Sequence, residues 1–342
     1  MFFLKRYLQG KISTNQFQLY EVKPLNYKLC YLYGLKSKTK LRELLHIDRK
    51  LYCKSSFVNQ KITPYIAKNG GKERLIEAPE EDIKKIQGII LKSLQQLDYP
   101  EYSFSGIKGK CYIDNAKEHQ GFDYLFKVDI SKFFPNTSRD KVYRFFVEKL
   151  KTSPDVANIL ANFSTVNLSV KNNPTVLDYV QLVNIKQNNH LITGSPISAI
   201  MSYLANIDMF EKMYQYAQEN KINMTVYIDD VVFSANHNIS YVFRNKILQI
   251  IKDFGYDISI KKCKWYSKGT VKKVTGVILD KDNKPQVPNK LIKKVHDYIS
   301  EEKAGDDSNY NNLQGCLVVS EQINGKFGQY RKQLLKERKK QG

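Results

Sequence analysis

Two carboxylates stand side by side in the run Val226-Tyr-Ile-Asp-Asp-Val-Val-Phe233, whose other members favour extended backbone. An unpartnered carboxylate among apolar neighbours costs several kcal/mol or takes up a proton, so Asp229 and Asp230 demand compensation. Divalent cations supply it. Adjacent strand residues point to opposite faces, but at the turn of a hairpin that divergence relaxes and at least one of the pair can face a ligand. Asp129, the polar interruption in "YLFKVDISKFFP", lies in the right kind of strand to complete the site. All-oxygen ligands suit Mg²⁺, and two such ions ~3.5–4 Å apart stabilise the attacking and leaving oxygens of an in-line phosphoryl displacement. An Asp pair is ordinarily a solvated turn. The apolar residues on both sides favour the metal-binding reading here.

Those carboxylates need strands, and the strands need a core. The chain has 342 residues, 42% of them hydrophobic, enough for one large or two to three small domains. "TPYIAKNGGKERLIEAP" reads as a hairpin turning at Gly70-Gly71, and "EEDIKKIQGIILKSLQQL" as a helix with Ile83, Ile86, Ile90 and Leu94 on one face. Residues 1 to about 60 are expected to be mainly helical, with Leu41, Leu44, Leu45 and Leu51 near one face. From about Ser164 to His190 the Asn-rich sequence reads as loops and short strands. "GSPISAIMSYLANIDMFEKMYQYAQEN" reads as one strong helix, capped by Ser195 with Pro196 in its first position. "MTVYIDDVVFSA" is expected to be strand, tight turn and strand, followed by a helix from about Ser240 to Phe254. Short strands are expected at "YDISI" and "KKVTGVIL", and Lys-rich helices from about Asn289 onward. The mixture predicts an α+β fold with a helical C-terminal region.

Charge indicates the partner. Lys and Arg number 55 against 34 acidic residues, a net charge of +21 spread along the chain, and the 23 tyrosines suit base stacking beside phosphate contacts. A polyanion is the expected partner. The five cysteines are scattered and include no C-x-x-C pair, which points away from a disulfide framework or zinc site and fits a reducing cytoplasm. The N-terminus is too interrupted by charge for a signal peptide, and no apolar run is long enough to span a bilayer. "LDKDNK" lacks the Gly and closing Glu of a calcium loop and reads as a turn.

"YIDD" between strands resembles the polymerase motif of reverse transcriptases, and "VDISKFFP" resembles its partner carrying the first metal-binding Asp. The resemblance runs from about residue 40 to 340. "NAKEH" (Asn115 to His119) and "VTG" (Val274 to Gly276) narrow it to the bacterial retron reverse transcriptases, through their N-A-x-x-H and V-T-G signatures. The resemblance implies a right-hand polymerase: an N-terminal helical segment (1–60), fingers and palm (61–285), the palm an antiparallel sheet backed by helices, and a helical thumb (286–342). It implies that Asp129, Asp229 and Asp230 hold two Mg²⁺, with the Ile130 carbonyl as an extra ligand. Lys72 and Arg74 would hold the triphosphate, Phe134 would act as the steric gate against a ribose 2′-hydroxyl, and Tyr227 would lie beside the primer end. Gly194, Ser195 and Ser198 match the motif that supports template and nucleotide, but Thr193 stands at the usual Gln position and Ala199 at the usual second Pro. Lys262 corresponds to a later Lys-Thr motif, with Cys263 in place of Thr.

For Asn115 and His119 a structural hydrogen bond and a role in RNA recognition both stay open. Lys290, Lys293, Lys294, Arg331 and Lys332 of the basic C-terminal helices are candidates for following a duplex backbone. The implied activity is RNA-directed DNA synthesis from deoxynucleoside triphosphates on a cognate structured noncoding RNA. A branched RNA–DNA product, a separate effector protein and a role in antiphage defence are implied with it. The rival readings are a protein-primed or template-independent defence reverse transcriptase and a nonenzymatic RNA-binding scaffold.

Overall fold

The computed structural model describes residues 25–332 except 49, 70, 305–307 and 330. The expectations for residues 1–24, for the Gly70 end of the hairpin turn and for residues 333–342 therefore lie outside the described residues. Among the described residues the first α-helices are the short α1 (Lys38–Leu44) and α2 (Ser55–Gln60), followed by the hairpin β1 (Ile62–Asn69) and β2 (Lys72–Pro79) and by α3 (Glu81–Leu94). Next come α4 (Tyr112–Lys117), β3 (Tyr124–Asp129), α5 (Arg139–Arg144), α6 (Pro154–Ser164), β4 (Thr165–Asn167), α7 (Pro174–Leu182) and β5 (Asn189–Leu191). The central part holds α8 (Ser198–Leu204), α9 (Ile207–Glu219), β6 (Asn223–Tyr227), β7 (Asp230–Ala235) and α10 (Tyr241–Asp253). Strands β8 (Lys264–Tyr266), β9 (Lys272–Val274), β10 (Val277–Leu279) and β11 (Pro285–Gln286) lead to α11 (Asn289–Lys303) and α12 (Tyr310–Ile323). The architecture is α+β.

A four-stranded antiparallel sheet in the order β6-β7-β3-β8 forms the centre. Its two faces feed different cores. Phe126 and Phe233, opposite one another in β3 and β7, stack at 6.0 Å, and Phe233 meets Phe243 of α10 edge-on. Leu125 and Val232 face the other way, into a second cluster with Ile113, Val274, Val277 and Ile323. A third, small cluster of Val295, Ile299, Leu313 and Leu317 joins α11 to α12. The helices start where capping chemistry allows: Ser240 Oγ accepts the Phe243 N–H at the head of α10, and Glu81 and Asp82 complement the N-terminal dipole of α3.

Several expectations need correction. The long helix from Gly194 to Asn220 is two helices, broken at Ala205-Asn206 and starting only at Ser198. Asn206 causes the break, because its side chain is drawn into a buried network with Ser202, Tyr256 and Lys141. Pro196 and Ser195 lie in the preceding turn, where Ser195 Oγ accepts the Ile197 N–H. The stretch from Ser164 to His190 contains a true helix, α7, capped by the Asn173 side chain with Pro174 behind it. "YDISI" makes only a bridge between Ile258 and Ile130, and "KKVTGVIL" is a hairpin that turns at Thr275-Gly276, both with positive φ. In the first sixty residues α1 stops at Leu45, after which His46 adopts φ 53°; Leu41 and Leu45 are buried and Leu44 partly so.

Candidate active site

The sheet register brings the three acids to one place. Asp129, the last residue of β3, lies opposite Asp230, the first of β7, and Asp230 lies opposite Tyr227 of β6. Ile228 and Asp229 form the two-residue turn, and the Asp229 carbonyl accepts the Ile130 N–H at 2.9 Å. Ile228 has φ 58°, a conformation that opposes a β-branched side chain. Ser105 holds it there, its Oγ accepting the Ile228 N–H at 2.8 Å.

Two lysines neutralise two of the carboxylates. Lys262 Nζ, from a single 3₁₀ turn after the Ile258 bridge, reaches both oxygens of the buried Asp129 at 2.9 and 2.8 Å. Lys127, two residues before Asp129 and on the same side of β3, donates to Asp230 Oδ2 at 2.9 Å. Among the described residues Asp229 has no such partner. Burial, then the charges of Asp129 and Asp230, push its carboxyl up to about 6. Asp230 is also raised, by burial against the pull of Lys127, and among the described residues its buried Oδ1 has no hydrogen bond.

Among the described residues no three His, Cys, Asp or Glu side chains converge as a preformed metal cage. The donor set still fits a hard divalent cation. It is all oxygen, it repels itself, and among the described residues it leaves Asp230 Oδ1 with nothing to bind. Mg²⁺ takes one or two carboxylates and shares substrate phosphates instead of filling an all-protein cage.

The other expected residues fall into distinct places. Phe134 is partly buried against the main core in the turn after Asp129, and Tyr227 is half-buried beside the acids. Lys72 and Arg74 are exposed on β2. Gly194 sits hard against that strand: its N–H donates to the Glu77 carbonyl at 3.2 Å, and an added Cβ would overlap the Glu77 carbonyl oxygen. Ser198 is buried at the head of α8, its hydroxyl on the Ile192 carbonyl.

Asn115 and His119 are wholly buried, so neither offers an atom to an RNA. His119 bridges Ser234 and Thr225 at 2.7 Å on each ring nitrogen, and Asn115 lies 3.4 Å from Thr275. The structure corrects the RNA-recognition reading of both in favour of packing. Lys290, Lys293, Lys294 and Lys332 are exposed, while Arg331 is paired with Glu321 at 2.7 Å. Sequence reasoning missed Lys127, although its two-residue offset from Asp129 puts both on one face of the strand. It also missed Ser105, for which no local signal exists.

Known proteins show which family the chain belongs to. The profile of the family described as "Reverse transcriptase (RNA-dependent DNA polymerase)" matches residues 66–287. The chain belongs to the reverse transcriptase family. Within it the chain is similar to retron reverse transcriptases. It is 27% identical to the Retron Ec83 reverse transcriptase of Escherichia coli over 262 residues, which is 74% of this chain and 80% of that protein. It is 27% identical to the Retron Se72 reverse transcriptase of Salmonella heidelberg over 56% of this chain and 46% of that one, and 23% identical to the Retron Ec86 reverse transcriptase of Escherichia coli over 74% and 73%. Among solved structures, apo telomerase from Candida tropicalis aligns at 9% identity and TM-score 0.45, covering 66% of this chain and 55% of that one. Telomerase from Candida albicans aligns at 9% identity and TM-score 0.46, covering 68% and 46%. Among the described residues no helix is long and apolar enough to cross a membrane.

Proposed function

We propose that this chain copies part of a cognate structured noncoding RNA into DNA by nucleotidyl transfer at Asp129, Asp229 and Asp230. The observation that carries the reading is the cross-strand register: Asp129 faces Asp230, and the peptide of Asp229 is bonded to that of Ile130. These three side chains, with the Ile130 carbonyl, would hold two Mg²⁺. When bound, the two ions would supply positive charge to the attacking 3′-oxygen and to the departing pyrophosphate. Lys262 and Lys127 hold two carboxylates in place until cation and substrate arrive.

Around that centre, Lys72 and Arg74 bind the triphosphate from the hairpin, and Gly194 and Ser195 support it from the adjoining loop. Phe134 excludes a ribose 2′-hydroxyl, and Tyr227 supports the primer end. Residues 61–285 serve as fingers and palm, and 286–342 as a thumb whose exposed Lys290, Lys293 and Lys294, together with Lys332, follow a duplex backbone. The similarity to retron enzymes supports a branched RNA–DNA product, a separate effector protein and a role in antiphage defence. Asn115 and His119 are left out of the RNA contact because they are buried.

The test is incorporation of deoxynucleotides by the full chain on a primed RNA template with Mg²⁺. Wild type is expected to extend the primer and Asp229→Asn to lose at least about a hundredfold. Undiminished extension by Asp229→Asn overturns the site. Isolation of the protein with a defined RNA joined to a short DNA supports the retron-type product, and DNA attached to a protein side chain overturns it.

A further inference from the structure

Glu77 departs from what an acid in a hairpin strand usually does. Its side chain points inward with Leu75 and Pro79 and is wholly buried, as is His190 on β5. His190 Nε2 lies 2.7 Å from Glu77 Oε1. The other carboxylate oxygen, Oε2, accepts the Thr193 N–H at 2.9 Å, and the Thr193 hydroxyl accepts the Glu77 N–H at 3.0 Å. On its far side the ring presents Nδ1 to the Gln187 carbonyl. A carboxylate and a carbonyl only accept, so both ring nitrogens face acceptors, and a doubly protonated imidazolium satisfies the two at once. Removing one member of such a pair strands a buried charge, which is far more costly than losing a surface ion pair.

The placement gives the pair a consequence. Lys72 and Arg74 precede Glu77 on the same strand, and Gly194 and Ser195 follow His190 in the adjoining loop. These are the two segments to which the nucleotide contacts were assigned above. We infer that Glu77 and His190 are positioning residues, a buried ion pair that locks the β1–β2 hairpin to the Thr193–Ser195 loop and so sets how tightly the incoming nucleoside triphosphate is held. The inference rests on the polymerase reading of the site. It also accounts for Thr193 standing where the resemblance leads one to expect Gln: its amide and its hydroxyl are both spent on Glu77.

The lock responds to pH. Burial works against a charged ring, but the charge and hydrogen bond of Glu77, with the Gln187 carbonyl, overcome it and raise the His190 pKa above its ordinary value. The pair is intact at lower pH and is lost as pH rises through that raised value. The groups facing it are Glu77 from β2, Val166 and Ser138 as backbone neighbours of His190, and Lys171, whose ammonium senses Glu77 from beyond β4.

The experiment is steady-state nucleotide incorporation by the full chain from about pH 6.5 to about pH 9.5, comparing wild type, Glu77→Gln and Glu77→Ala. In wild type the nucleotide KM is expected to rise with pH while kcat at saturation changes little. The amide of Glu77→Gln can donate to a neutral imidazole and still accept from Thr193, so that variant folds and its KM is expected to stay flat. Glu77→Ala is expected to raise KM about fivefold to tenfold at neutral pH. A Gln variant with the wild-type pH response, or an Ala variant with unchanged KM, overturns the inference. Hydrogen exchange of the Thr193 and Gly194 amides reads the same lock without catalysis. If wild type makes no DNA, the polymerase reading fails, and the lock is then judged by those amides. Release with rising pH in wild type but not in Glu77→Gln supports it, and identical release overturns it.

Discussion

The Asn115 side-chain nitrogen lies 3.4 Å from Thr275 Oγ1, joining two motifs 160 positions apart in sequence. Thr275 Oγ1 in turn donates to the Tyr112 carbonyl at 2.8 Å, in the same helix as Asn115. The two short signatures that narrowed the resemblance are thus one structural unit, the seam between α4 and the β9–β10 turn.

Removing the Thr275 hydroxyl should loosen that seam. Thr275→Ala deletes the hydrogen bond to Tyr112 and leaves the buried Asn115 side chain with less to bond, and the expected cost is about 1–3 kcal/mol. Urea unfolding measures it, with an unchanged m-value expected.

The acids should be a burden on the protein without metal. With its carboxyl pushed up to about 6 from an ordinary 3.8, ionised Asp229 disfavours the folded state above about pH 6, and the penalty fades as pH falls toward the ordinary value. Asp229→Asn should therefore stabilise metal-free protein by about 1–3 kcal/mol at pH 7 and by much less near pH 4. Thermal melts in chelator across that range measure the difference, and a variant less stable than wild type at pH 7 contradicts the account.

His119 predicts an acid limb of its own. Burial pushes its pKa down to about 3, so the unfolded chain binds the proton that the folded chain refuses. The contribution is fully present above the ordinary His value of 6.5 and is lost as pH falls from there toward 3. His119→Gln should flatten the fall in stability over that interval, at a cost of about 1–2 kcal/mol at pH 7 from the bonds to Ser234 and Thr225.

Gly194 has no room for a side chain. Gly194→Ala forces its backbone away from Glu77, with an expected loss of about 1–3 kcal/mol of stability and a raised nucleotide KM. Unfolding and primer extension on the same preparation measure both.

What could be read in the sequence followed from local pattern. The β1–β2 hairpin, α3, α10 and the β6–β7 hairpin with its acid pair announce themselves by period, turn residues and caps. The opposition of Asp129 to Asp230 was foreseen only as a requirement of the chemistry, since strand pairing across a hundred residues leaves no local trace. Helix α7 was hidden because Asn173 and Asn184 at its ends look like loop. The break at Asn206 was hidden because two of the partners that draw its side chain aside, Tyr256 and Lys141, come from far along the chain. Glu77 and His190 were illegible for the same reason: an acid in an alternating strand reads as solvent-facing until its partner is seen.

Ser105 has a bearing on any attempt to build chimaeras. It fixes the bend at Ile228, which a branched side chain resists by about 1–3 kcal/mol, from a segment more than a hundred residues upstream. Swapping only the stretch from Asn223 to Ala235 between relatives would transplant the acids without the clasp that gives their bend its shape. A graft that respects this molecule has to carry both pieces.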